Sequence, residues 1–225
     1  MTGGSAFSSG SRMVDLLTGH GLVLATRNPH KVRELERLLE PRGIRVFALP
    51  SGAPEVPETE NTFTGNALLK ARSAARYLAR ANDLPDGVSR EAVAMADDSG
   101  IVVDALDGRP GVQSAYYGGP GLDDEGRLQL MLQEMKDVPE ECRTARYVCV
   151  LALCFGSGPD GPEERIFEGR CEGRIALAKS GDGGFGYDPV FMDPELGQTF
   201  AEISPAAKDE RSHRGRALGL FLDAL

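Results

Sequence analysis

The feature that most constrains the fold is the longest uninterrupted apolar run, Val148–Phe155 within RYVCVLALCF. A helix that spans a bilayer needs roughly 20 apolar residues, so this run reads as a strand and no membrane role follows. With RIFEGRCEGRIA behind it, the run forms one of two long, hairpin-like strands. AVAMA, IVVDAL and PVF read as further strands, and so does LVLAT from Leu22 to Thr26. In NPHKVRELERLLE the residues Val32, Leu35, Leu38 and Leu39 recur at helical spacing, with Asn28 as N-cap and Pro29 in the first position. Phe63, Ala67, Ala71, Ala74, Ala75 and Leu78 mark a second helix, whose other face carries the polar stripe Asn66, Lys70, Ser73 and Tyr77. GRLQLMLQEM and RSHRGRALGLFLDAL complete the helices. Long strands set between helices predict an α/β fold with a mixed sheet.

The chain has 225 residues, 41% of them hydrophobic and 26% charged, which suits one soluble globular domain over residues 21–225. The first twenty, MTGGSAFSSGSRMVDLLTGH, are rich in Gly and Ser and are expected to form a disordered extension. A formal charge of −9 without Lys/Arg clusters argues against nucleic acid as a partner. The four cysteines contain no C-x-x-C pair, consistent with a reducing cytoplasm.

Several stretches could carry chemistry. TRNPHK places Thr26, Asn28 and Lys31 between a strand end and a helix start, where backbone N–H groups and the helix dipole favour an anion. An ordinary capped helix with a solvated lysine fits the same pattern. ADDSG sets Asp97 and Asp98 at the end of an apolar run, and a cation such as Mg2+ would relieve repulsion between them. The same letters are common turn chemistry. Glu58 could share a site with Lys70, although surface helices carry such pairs routinely. GDGGFGYD fits G-x-G-x-x-G through Gly181, Gly183 and Gly186. Its continuation, PVF, is a turn into a short strand, not the helix that a dinucleotide loop requires.

In this order, LATRNPHKVRELERLL, ENTFTGNALLKA, ADDSGIVVDALDGRPGVQSAYY, GGFGYDPVF and SPAAKDERSHRGRAL together resemble the inosine triphosphate pyrophosphatase family, from about Leu22 to Leu225. The resemblance implies an elongated two-lobed α/β fold, with a central mixed sheet flanked by helices and a nucleotide cleft between the lobes. It implies a homodimer that hydrolyses the purine nucleoside triphosphates ITP, dITP and XTP to the monophosphate and pyrophosphate with Mg2+. Carried over to this chain, the phosphate loop falls on Thr26, Arg27, Asn28, Pro29, His30 and Lys31, with Lys70 as a further phosphate contact. The metal ligands fall on Glu58 and Asp98, the general base on Asp98, and a substrate contact on Ser99. The base-binding residues fall on Phe185, Gly186, Tyr187, Asp188, Lys208, His213 and Arg214. Tyr116, Gly65 and Ala207 depart from the family's usual Arg, Glu and acidic residue.

Overall fold

The structure, a computed structural model, describes residues 9–27, 29–158 and 161–225. In chain order the elements are α1 (Ser9–His20), β1 (Leu22–Leu24), α2 (Pro29–Leu39), β2 (Val46–Ala48), α3 (Phe63–Arg80), β3 (Val93–Val103) and α4 (Asp124–Glu134). They continue as β4 (Thr144–Gly158), β5 (Gly161–Ile175), β6 (Phe191–Asp193), β7 (Gln198–Thr199), α5 (Pro205–Arg211) and α6 (His213–Asp223). One seven-stranded sheet runs in the order β2-β1-β3-β4-β5-β6-β7. Its β1–β2 and β1–β3 pairs are parallel, whereas β5–β6 and β6–β7 are antiparallel. The mixed α/β sheet expected from the sequence is therefore present. By packing, the chain divides into two compact units, residues 1–97 with 151–167 and 221–225, and residues 98–150 with 168–220.

In the first unit, α2 links β1 to β2 and α3 links β2 to β3. Right-handed crossovers that run in opposite directions along a sheet put their helices on opposite faces. Ala74 and Leu78 of α3 bury with Val23, Ala92 and Ala94, which fixes the face that α3 covers. The Thr62 hydroxyl caps α3 by accepting from the Gly65 N–H. A Cβ at Gly65 would lie 2.7 Å from that of Glu60, so the loop before α3 excludes the Glu usual in the resembled family.

The extension expected over the first twenty residues is in part a helix. α1 buries Met13 and Leu17, four residues apart on one side, and Arg12 pairs with Glu163 at 2.6 Å. Two buried apolar residues outweigh the Gly/Ser composition around them.

The second unit is built on Ile101, Val103, Leu128, Met131, Tyr147, Tyr187, Phe191 and Phe200. α4 contributes Leu128 and Met131, and Asp123 caps its start through the Gly126 N–H. Arg143, 1% exposed, donates to the carbonyls of Met135, Val138, Ile175 and Ala176, tying the segment after α4 to the end of β5.

Three local expectations change. AVAMA and IVVDAL are one strand, β3, which runs straight through Asp97–Gly100. The helix read at 211–225 is α6, which starts at His213 because Ser212 is extended at ψ 156 and its hydroxyl accepts from the Gly215 N–H, and a further helix, α5, precedes it. The strand read at Pro189–Phe191 lies at Phe191–Asp193 and pairs with β7.

Candidate nucleotide site

In the first unit, β1 ends at Leu24, and Ala25 is held to the sheet by its N–H on the Met95 carbonyl. Thr26 and Arg27 follow, and the Arg27 guanidinium donates to the Ala53 carbonyl at 2.9 Å. Pro29, His30 and Lys31 form the first turn of α2, while the expected N-cap Asn28 lies outside the described residues. Lys31 Nζ stands 3.2 Å from Asp97 Oδ1. Lys70, from the middle of α3, donates to Glu58 Oε1 at 3.0 Å and to the Asp97 carbonyl at 3.1 Å. Two ammonium groups from two helices thus meet one residue in the middle of β3.

A cavity of about 240 Å³ opens beside them, lined by Ala25, Thr26, Arg27, Leu49, Ala53, Pro54, Glu55, Val56, Lys70, Ser73 and Ala74. Lys70 and Ser73 of the polar stripe reach it. Asn66 of the same stripe is 1% exposed and serves the fold instead, exchanging two hydrogen bonds with the Glu60 backbone.

β3 carries the two aspartates. Successive side chains of a strand leave on opposite faces, so Asp97 and Asp98 do not present a joint pair of carboxylates. Asp97 turns to Lys31, and Asp98 shares its face of the strand with Ala94 and Ala96 and is 6% exposed. The expected neighbouring cation is met at Asp97 by the ammonium groups of Lys31 and Lys70. Ser99, next along β3, lies on the face of Asp97.

In the second unit, GDGGFGYD wraps around its own aspartate. Asp188, 3% exposed, accepts at Oδ2 from the Phe185 N–H at 2.8 Å and from Lys208 Nζ of α5 at 2.5 Å. The Phe185 ring is 65% exposed, and the Lys208 ammonium sits 4.8 Å from its centre. Tyr187 turns inward, with its hydroxyl donating to the Ser114 carbonyl at 2.9 Å. Burial, the leading cause, raises its pKa well above the ordinary tyrosine value. Of this motif, then, Phe185 offers a surface, while Asp188 and Tyr187 hold the loop in shape.

The motif's glycines also serve the fold. A Cβ at Gly181 or Gly183 would meet the Ala201 carbonyl oxygen at 2.6 or 2.8 Å, so these positions let two backbones pack, not a backbone and a ligand. His213 and Arg214 occupy the first turn of α6. The close approach of α6 to β5 depends on Gly169, whose Cβ would fall 2.1 Å from the His213 carbonyl oxygen. The His213 ring lies flat on Tyr147, at 4.6 Å between centroids and 10° between planes.

The second unit therefore brings Phe185, Asp188, Lys208 and, through Tyr147, His213 together. Tyr147 and Arg143 carry no signal in the sequence, where each is a single letter, Arg143 just before β4 and Tyr147 near its start. Only long-range contacts reveal them.

Comparison with known proteins bears on the family and the fold. A dITP/XTP pyrophosphatase from Geobacillus kaustophilus is 46% identical over 199 residues, covering 88% of this chain and 90% of its own. The solved structure of the Staphylococcus aureus Ham1 protein superposes with a TM-score of 0.76 at 35% identity, over 90% of this chain and 98% of that one. A nucleoside-triphosphatase / dITP/XTP pyrophosphatase from Mycobacterium abscessus gives 0.71 at 41% identity, with coverage of 90% and 98%. The resemblance drawn from the five sequence blocks is borne out. Since the profile of the Ham1 family matches residues 22–224, from the first residue of β1 to the penultimate residue of the chain, this protein belongs to the Ham1 family.

Proposed function

We propose that this chain hydrolyses deaminated purine nucleoside triphosphates, ITP, dITP and XTP, to the monophosphate and pyrophosphate, and that residues 21–225 act as one catalytic domain. The observation that carries the reading is the pair Lys31 and Lys70, which gather on Asp97 in the middle of β3 in a chain of net charge −9. Such a chain repels a polyphosphate in general, so any site for one must hold cations locally. Relatives named dITP/XTP pyrophosphatase at this level of identity supply the substrate class.

The phosphates are received by Thr26 to Lys31 and by Lys70. Both lysines are held in place by protein oxygens, so little reorganisation is needed when phosphate oxygens take over. Asp98 takes the proton from the water that attacks the α-phosphorus in line with the departing pyrophosphate.

The reading includes Mg2+, which Glu58 and Asp98 would hold. Carboxylates are the hard oxygen donors that this ion prefers, and it needs only one or two from the protein beside phosphate and water oxygens. Among the described residues no three His, Cys, Asp or Glu side chains converge, so the substrate would complete the set. When bound, Mg2+ neutralises charge on the phosphates.

The base stacks on the exposed Phe185 ring, with its 6-keto oxygen accepting from the His213 and Arg214 region. Adenine would bring a 6-amino donor to the same donors and be rejected. Ser99, Gly186 and Lys208 complete the substrate contacts. The protein acts on free nucleotides in the cytoplasm as a homodimer, with neither nucleic acid nor membrane as partner. Among the described residues no helix is long and apolar enough to cross a membrane. Identification of the products formed from ITP tests the reading.

A further inference from the structure

We infer that Tyr147 is a positioning residue for base recognition, joining in one side chain the two groups of the base site, Asp188 with its donors and His213. The inference rests on the function proposed above. Tyr147 stands on β4, away in sequence from GDGGFGYD and from α6, yet it touches both. Its hydroxyl lies 3.4 Å from Asp188 Oδ1, and its ring lies flat against that of His213. Behind it, Phe191 at 4.5 Å and Phe200 at 6.1 Å fix the ring from the core side.

The consequences follow from what each contact controls. Asp188 is the anchor for both the Phe185 N–H and the Lys208 ammonium, so the carboxylate's position sets the exposed ring and the cation over it. Burial holds the Tyr147 hydroxyl protonated far above neutral pH, so toward Asp188 it acts as a donor at every working pH. The stacking face limits the tilt of the His213 imidazole, at a residue whose backbone is already pressed onto Gly169. A base arriving at the site therefore meets donors whose directions are set in advance, and tightening of that kind is expressed in binding more than in turnover.

The test separates the base end of the substrate from its phosphate end. Tyr147→Phe keeps the stacking and removes the hydroxyl, and Tyr147→Leu removes both. KM for ITP is expected to rise about fivefold in the first and further in the second, with kcat within about twofold of wild type. Inorganic tripolyphosphate, which has no base, is expected to inhibit wild type and both variants with the same Ki. A Tyr147→Phe enzyme with wild-type KM for ITP would overturn the inference. A parallel weakening of tripolyphosphate inhibition would overturn it too, by showing a general structural effect. A wild-type protein that neither turned over ITP nor bound IMP by calorimetry would instead overturn the function itself and this inference with it.

Discussion

Asp97 and Asp98 are consecutive residues of one strand, and their carboxylates leave it on opposite sides. Asp97 meets Lys31 at 3.2 Å, while Asp98 lies on the face of Ala94 and Ala96. In the function proposed above, the two acids would do different work, Asp97 holding the lysine that meets the phosphates and Asp98 serving as base and metal ligand.

Asp98→Asn is expected to lower kcat by about 10²-fold or more, the usual contribution of a positioned base, while the protein remains folded. Asp97→Asn loosens Lys31 and is expected mainly to raise KM for ITP, with a much smaller loss of kcat. Steady-state kinetics of the two single variants beside circular dichroism would check this. Equal effects on both constants would contradict the division of labour.

Arg143 predicts a large stability effect away from the site. Its buried guanidinium donates to four backbone carbonyls, and the bonds to Met135 and Ile175 are themselves buried. Arg143→Met leaves those acceptors without their donors and is expected to cost about 3 kcal/mol. Denaturant unfolding of the whole protein, followed by tyrosine fluorescence, would measure it, and a loss within the scatter of surface substitutions would contradict the buried-clamp account.

The thiols should separate by accessibility and pKa. Burial pushes Cys154 and Cys171 up to about 11, and Cys149 is also buried, while Cys142 is exposed. A raised pKa keeps a thiol in its protonated, unreactive form until the pH approaches that value, so at pH 8 these groups are protected twice over. The native protein is expected to take up one equivalent of a thiol reagent at Cys142, and the unfolded protein four. Rapid native labelling at Cys154 or Cys171 would contradict the burial.

These outcomes also mark which parts of the molecule could be read from its letters. The helices α2 and α3 and the long strands were legible because apolar spacing there follows the periods of helix and strand closely. β3 reads as two strands from its letters because Asp, Ser and Gly are turn formers, and only neighbouring strands in the sheet hold them extended. α1 has little signal in the sequence, because Met13 and Leu17 are two apolar residues in a Gly/Ser-rich setting. The charged members of the site stood out through family resemblance. Their supports, Tyr147 beneath His213 and Gly169 beneath α6, depend on contacts between distant segments and leave no local signal.

The most direct measurement is product identification from ITP with Mg2+ and wild-type protein. The account predicts IMP and inorganic pyrophosphate in equal amounts, with no orthophosphate until a separate pyrophosphatase is added. IDP with orthophosphate would place the cut at the γ-phosphate and contradict it.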